Sequence, residues 1–515
     1  MKRNLFFMIV SMFLILFISA CTEATSGEDT KDSGSEGEQK DSLVIGFESD
    51  AATLLANTDV NYVTDTQIRN IYDPLIDRDS ETGEHIPSLA TEWENIDELT
   101  WRIKLRDDVK FHNDADFNAE SVKFSIDYIL DESNQSYYRS RWTNVEDVEV
   151  ISDYEVEITT SKPFPNLIEY IASDLLIMDP GYVEEVGNDT AAKEPIGTGA
   201  YEFVEWSRDN HLKLEANDDY WQGTPEIKNL EFRYIPEFSS RLSAFLSGEI
   251  DLFKNIPVDS VEEIEKDDDS EIGEVPSSRI NYLALNTFYE GPLQEQKVRQ
   301  ALNYAIDVDE LLDSILNGYG TKMTGPLSEL NTAYVETEDY GYDPDKALEL
   351  IKEAGYKPEE ISLTLETPSG RYPMDSHVAQ GIASQLKKID IDVEVEVNEW
   401  GNHLEKLQKR EIKDMFILGW GPAFEPQSTV ENLFTEEAPY SSFYDKELEE
   451  EIIETNELFE PEERFEGYEK IQHELVEQAA WVPLWQQADL YAVRKDLNFE
   501  PRVDEKMQVF EMSWE

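Results

Sequence analysis

The sequence predicts an α/β protein of two lobes with mixed sheets, and three observations point there. The stretch from about residue 42 to 515 is longer than one hydrophobic core usually supports, which calls for two. Its second half alternates strand and helix patterns, strands at 361–366, 391–397 and 415–420 with helices at 375–388 and 400–410, the order of a largely parallel sheet. Residues 101–130 carry strand, loop and capped helix without a break. Trp101, Ile103 and Leu105 alternate with Arg102, Lys104 and Arg106, and Val109 and Phe111 resume the apolar face. His112, Asn113 and Asp114 then turn the chain. Asn118 is an N-cap, with Phe117 and Val122 placed as a hydrophobic staple, so a helix starts at Ala119 with Val122, Ile126, Ile129 and Leu130 as its apolar stripe.

From the start of the chain, Lys2 and Arg3 precede an apolar run over residues 5–18, shorter than the roughly twenty residues a bilayer span needs. Residues 1–20 read as an export signal. Ile18-Ser-Ala-Cys21 resembles a bacterial lipobox, in which the cysteine becomes the lipidated N-terminus. Cys21 is the only cysteine, so no intrachain disulfide forms. Residues 21–41 are polar and charged, a disordered tether.

Against 43 Lys and Arg stand 112 Asp and Glu, a net charge of −69. A chain so acidic does not bind nucleic acid. Its carboxylates are spread through every segment, as a solvated surface suited to high salt or high pH, where screening weakens their repulsion.

Along the body, 43–47 reads as a first strand and 66–72 as a short helix. Strands at 145–150 and 155–159 pair across Ser152 and Asp153. Pro195-Ile-Gly-Thr-Gly-Ala-Tyr201 is glycine-rich but lacks the Gly-Lys-Ser/Thr of a phosphate loop. A strand at 281–286 leaves lobe one. Helical spacing at 298–306 and 311–316 stops at Asn317-Gly318, and Asp343-Pro344 opens a helix whose Ala347, Leu348, Leu350, Ile351 and Ala354 face inward before Gly355. Residues 447–459 and 462–476 form two amphipathic helices, and 482–485 with 488–493 return as strand. The lobes divide as 42–287 with 488–515, holding an inserted subdomain at about 80–194, and 288–487.

Ile86-Pro-Ser-Leu-Ala-Thr-Glu-Trp93, followed by Trp101 to Phe124 with Lys104-Leu-Arg-Asp-Asp-Val-Lys-Phe-His112, resembles the signature of the extracellular solute-binding proteins of peptide and nickel ABC importers. Further blocks resemble the family in its order: Lys162-Pro-Phe-Pro-Asn166, Tyr220-Trp-Gln-Gly-Thr-Pro225, Arg241 to Leu252 and Asn281-Tyr-Leu-Ala-Leu-Asn286. Where the family carries an early Leu-Asp-Pro, this chain has Leu54-Leu55-Ala56. The resemblance implies a two-lobed periplasmic-binding-protein-like fold of the large class II type, with a ligand cleft between the lobes. It also implies a non-enzymatic monomer, lipid-anchored on the outer face of a bacterial cytoplasmic membrane. Such a protein captures short peptides or peptide-like solutes by lobe closure and hands them to the permease's transmembrane subunits.

In a parallel sheet the ligand lies beyond the carboxyl ends of the strands. That selects Pro368-Ser-Gly-Arg-Tyr-Pro373 and Gly419-Trp-Gly-Pro-Ala-Phe-Glu-Pro426. The first resembles the Gly-Arg-Tyr run of the dipeptide and glutathione branch, the second its Gly-Trp block. An aspartate commonly follows that block to meet a peptide's α-amino group; here Glu425 is the nearest acid. Arg371 offers a bidentate donor to a ligand carboxylate, or else an ordinary surface salt bridge. Trp420 offers a flat wall, or else closes the core, and Tyr372 and Phe424 stand beside them as further candidates. Arg139 and Arg141, in Tyr137-Tyr-Arg-Ser-Arg-Trp142, fall where nickel- and metallophore-binding relatives use an arginine, so a nickel-chelate ligand is the alternative. The six histidines, at 85, 112, 211, 377, 403 and 473, include no close pair at metal-ligand spacing, so neither a metal site nor a cofactor is expected, and His112 reads as a structural loop residue. A secreted hydrolase using paired carboxylates is a remote alternative with no nucleophile elbow or Cys/His pair to support it.

Overall fold

In the computed structural model, which describes residues 40–59, 61–421 and 424–515, two long strands organise the molecule. Ser270–Leu285 and Trp481–Arg494 pair antiparallel in the middle of one eleven-stranded sheet. On one side Met415–Trp420 joins antiparallel, then Ser362–Pro368 and Asp392–Asn398 follow in parallel. On the other side Leu252–Lys254 joins antiparallel, Ser42–Phe47 and Asn229–Tyr234 run parallel, and His211–Ala216 and Tyr201–Ser207 finish the edge antiparallel. The parallel run expected for the second half therefore ends at Met415–Trp420, because its other neighbour arrives from the opposite direction.

The register of the two long strands slips between Pro276 and Ile280 and again between Asn281 and Tyr282. Such bulges bend and twist a strand. They let one strand pair serve two apolar cores. Ile280, Tyr282 and Leu283 belong to a core that reaches Trp485, whereas Val275, Tyr491 and Val493 belong to one that includes Leu43 and Trp514.

A third core, from Leu75 to Ile177, fills a separate four-stranded antiparallel sheet of Ala90–Asp97, Thr100–Leu105, Glu155–Thr160 and Val145–Ser152. The helix Ala119–Leu130 packs on it. Asn118 caps that helix as expected, its Oδ1 accepting from Glu120 N at 2.9 Å, and Phe117 and Val122 are buried beneath. His112 contacts Gly199 O at 2.9 Å and is held neutral, burial lowering its pKa to about 4. The glycines of 195–201 serve close approach and not phosphate: Gly199 N donates to Ile71 O, and a Cβ on Gly197 would stand 2.0 Å from that same oxygen.

Several expectations shift. The helix expected at 66–72 is Tyr62–Ile68, because Asn61 caps it by accepting from Val63 N. The expected strand at 281–286 is the end of a sixteen-residue strand, and 482–493 is continuous within Trp481–Arg494. Leu348 faces solvent, 37 % exposed, while Ala347, Leu350 and Ile351 are buried. The export signal, Cys21 and the tether through residue 39 lie outside the described residues, as do Pro422 and Ala423.

Candidate functional site

The two strand-end loops selected from the sequence take different positions. After Ser362–Pro368 the chain turns sharply, and Asp375 fixes the turn by accepting from Arg371 N at 3.0 Å and Tyr372 N at 3.3 Å. Tyr372 is buried against the next strand, its hydroxyl donating to Gly419 O at 3.3 Å. Only glycine fits there, since a Cβ at 419 would lie 2.5 Å from Tyr372 Cε1. The Arg371 guanidinium carbon then sits 5.2 Å from the Trp400 ring centroid and 5.3 Å from that of Tyr372. Its side chain reaches solvent, and among the described residues no carboxylate lies within 4.0 Å of it. Burial by surrounding protein, and then the charge of Arg279, lower its pKa.

Beside this loop lies a charge cluster that sequence reading missed. Arg279 sits in the bulge of the long strand, and a Cβ on Gly421 would come within 2.8 Å of its Cα. Its Nε lies 3.3 Å from Glu505 Oε1, which also accepts from Ser277 Oγ at 2.9 Å. Lys254 Nζ reaches Glu505 Oε2 at 3.2 Å and Asp489 Oδ2 at 2.8 Å, and lies 5.1 Å from the Tyr62 ring centroid. Burial opposes the charge on Glu505, yet Arg279 and Lys254 together hold its pKa well below the usual range; burial raises Asp489 despite Lys254. Tyr62 in turn donates to Glu48 Oε1 at 3.0 Å. Each member is a lone charged residue far from the others in sequence, so no motif marks it.

The second loop docks elsewhere. Trp420 is half-buried, 5.6 Å from the Tyr440 ring, at the end of its strand opposite Ile280. Phe424 leaves that core and is buried in the one that includes Leu43, with the Arg78 guanidinium carbon 4.6 Å from its ring centroid. Glu425 caps the helix Pro426–Phe434, accepting from Ser428 N at 2.7 Å and Gln427 N at 2.8 Å, and accepts from Asn166 Nδ2 at 2.8 Å. Burial, and then the nearby charge of Glu169, push its pKa up to about 7. Glu425, expected as the acid nearest a peptide's α-amino group, is thus engaged as a helix cap, with Pro426 at the first helical position.

Arg139 and Arg141 are both held locally. Arg139 donates to Leu130 O and Glu132, and Arg141 pairs with Asp174 at 3.0 Å, an acid that also accepts from Trp142 Nε1. The structure thus brings together Arg371 and Tyr372 with Arg279, leaves Trp420 at the neighbouring strand end, groups Phe424 with Glu425 across from Asn166, and keeps Arg139 and Arg141 apart. Among the described residues no group of three or more His, Cys, Asp or Glu is arranged to hold a metal ion.

Comparison with known proteins identifies the family and the fold. Residues 84–441 match the family model described as bacterial extracellular solute-binding proteins, family 5 Middle. The glutathione-binding protein GsiB of Pectobacterium atrosepticum is 31% identical over 330 residues, 63% of this chain and 63% of that protein. The ABC transporter substrate-binding protein CtaP of Listeria monocytogenes superposes with a TM-score of 0.85 at 25% identity, over 93% of this chain and 100% of that one. The Helicobacter pylori protein DppA, solved with the peptide STSA, superposes with a TM-score of 0.78 at 26% identity, over 93% of this chain and 98% of that one. The fold is the two-lobed one expected.

Proposed function

The chain belongs to the bacterial extracellular solute-binding proteins, family 5, the substrate-binding components of peptide and nickel ABC importers, and on that premise we propose that it captures short peptides or peptide-like solutes and presents them to a permease. The observation that carries this reading is Arg371: an arginine without a carboxylate partner, held over Trp400 and Tyr372 at the carboxyl ends of parallel strands. A guanidinium so placed receives a ligand carboxylate. The lobes divide near 42–287 with 488–515, including the subdomain at about 80–194, and 288–487. In support of that division, the apolar cores segregate much in this way, except that Ile280–Leu285 packs with the second lobe and Phe424 with the first. Lobe closure is supported by the contacts that span this division, Glu425 with Asn166 and Phe424 with Arg78.

Calorimetry with di- to pentapeptides, glutathione and nickel with histidine tests the ligand class, since a nickel carrier binds only the chelate. Arg371→Ala is expected to weaken the best peptide by about 1.5–3 kcal/mol, the range for a charged hydrogen bond, or roughly ten- to a hundredfold, with melting nearly unchanged. Wild-type affinity in both Arg371→Ala and Trp420→Ala would mean the ligand binds elsewhere.

The lipobox-like Ile18-Ser-Ala-Cys21 supports a lipid anchor on the outer face of the cytoplasmic membrane, where the protein works as a monomer. Cys21→Ser is then expected to lose the lipid. Intact mass and membrane fractionation check this, and an unchanged lipidated mass would refute it.

A further inference from the structure

The site holds more positive charge than one carboxylate requires. Three cations, Lys254, Arg279 and Arg371, stand beside two buried acids, Asp489 and Glu505. Lys254 is engaged by both acids. Arg279 shares Glu505 with Lys254, and among the described residues its guanidinium is hydrogen-bonded to no other acceptor, nor is that of Arg371 to any. Asp375, the acid of the Arg371 loop, is occupied by the backbone N–H groups of Arg371 and Tyr372, and Glu48 by Tyr62 and Asn255.

The backbone is shaped to hold these two arginines together. Gly419, near the end of the strand Met415–Trp420, admits the Tyr372 ring, and Gly421, just beyond the strand, admits the Arg279 main chain. Arg371 is anchored on that same Tyr372 ring. The charge of Arg279 opposes that of Arg371; Arg279 shares Glu505 with Lys254, and Arg371 has no carboxylate partner, although the net charge of the protein is −69. Like charges held together favour an anion that neutralises them.

Building on the peptide reading above, we propose that Arg279 is a specificity-determining residue that, beside Arg371, selects solutes carrying two acidic groups at one end, such as a terminal carboxylate next to an acidic side chain. Arg371 takes the carboxylate common to all peptides; Arg279 takes the second, using the fork geometry that suits a carboxylate.

The test is calorimetry with Ala-Ala-Glu and its neutral partner Ala-Ala-Gln on wild type, Arg279→Gln, Arg279→Lys and Arg371→Gln, with melting curves as a check on folding. Wild type is expected to prefer the Glu-ended peptide about tenfold or more. Arg279→Gln should erase that preference by weakening the Glu-ended peptide alone, Arg279→Lys should reduce it, and Arg371→Gln should weaken both peptides. Should Arg279→Gln not fold, the wild-type preference and its reduction in Arg279→Lys decide. Equal wild-type affinity for the two peptides, or equal weakening of both by Arg279→Gln, overturns the role of Arg279 and leaves the peptide reading standing. Binding of nickel–histidine with neither peptide bound overturns the peptide reading and this proposal with it.

Discussion

Lys254→Met is expected to lower the unfolding free energy by about 3–5 kcal/mol at pH 7, the range for removing one partner of a buried ion pair. Lys254 is 4 % exposed at the side chain, and it faces Asp489 at 1 % and Glu505 at 9 %. Methionine fills much of the space but leaves two carboxylates buried with Arg279 as their one remaining ion-pair partner, bound to Glu505. All of Lys254, Asp489 and Glu505 lie on segments assigned to one lobe, so lobe opening does not relieve the loss. The pH dependence follows in sign. In the variant the orphaned carboxyls have folded-state pKa values raised above their unfolded ones, so the penalty is fully present above the raised values. It fades as pH falls towards the ordinary carboxylate range. Urea unfolding at pH 7 and 4.5 measures both the size and the fading, and adding Asp489→Leu should recover part of the loss. A deficit under about 1 kcal/mol, or one independent of pH, would refute the cluster as a buried ion network.

Glu425→Gln carries the second large effect and acts in the opposite direction at neutral pH. The folded pKa of Glu425 is raised to about 7 from 4.5, with burial first and Glu169 second among the causes. A raised carboxyl contributes stability that is present below the unfolded pKa and lost as pH rises through the folded one. Wild type should therefore lose roughly 3 kcal/mol between about pH 4.5 and 7 through this group, at 1.36 kcal/mol per unit. Glutamine, which cannot ionise, does not. Near pH 4 the two proteins should be alike, and by pH 8 the variant should be the more stable by roughly 3 kcal/mol. His112 and His403, both lowered to about 4 by burial, and Asp73, raised to about 6 by burial, titrate in both proteins and cancel in the difference. Parallel pH curves would show that Glu425 leaves Asn166 in solution.

What the sequence made legible was local. Helix starts at Asn118 and Asp343 follow from side chains that accept backbone N–H groups two or three residues on, and Gly355 stops a helix because it adopts φ +88°. Period-2 and helical spacing gave the strands and helices of 361–420 within a few residues. The loop carrying Arg371 is singled out from the sequence because strand ends gather at one edge of a parallel sheet. What was not legible depends on crossings between distant segments. Residues 254, 279, 489 and 505 meet only because the two long strands and the C-terminal segment pass one another, and nothing in a chain of 112 acids distinguishes Asp489 or Glu505 beforehand. Arg139 shows the converse, since Leu130 O and Glu132, near it in sequence, decide its orientation.

The C-terminal segment also fixes when the protein can fold. Trp514 Nε1 donates to Ser42 O, the Lys40 ammonium lies 3.6 Å from the Trp514 ring centroid, Val509 N donates to Asn70 Oδ1, and Arg502 donates to the Arg78 carbonyl. These bonds join the first and last residues of the body, so their loop closures span nearly the whole chain. The first strand can form early, but its neighbour Leu252–Lys254 needs Trp481–Arg494 for its other edge, and that strand is among the last made. Synthesis order and assembly order therefore run against each other in this lobe. The sheet around residues 90–160 closes on its own contacts, whereas the strand order that joins Ser42–Phe47 and Leu252–Lys254 is completed only by the last strand and C-terminal segment, the slow, non-local kind of folding.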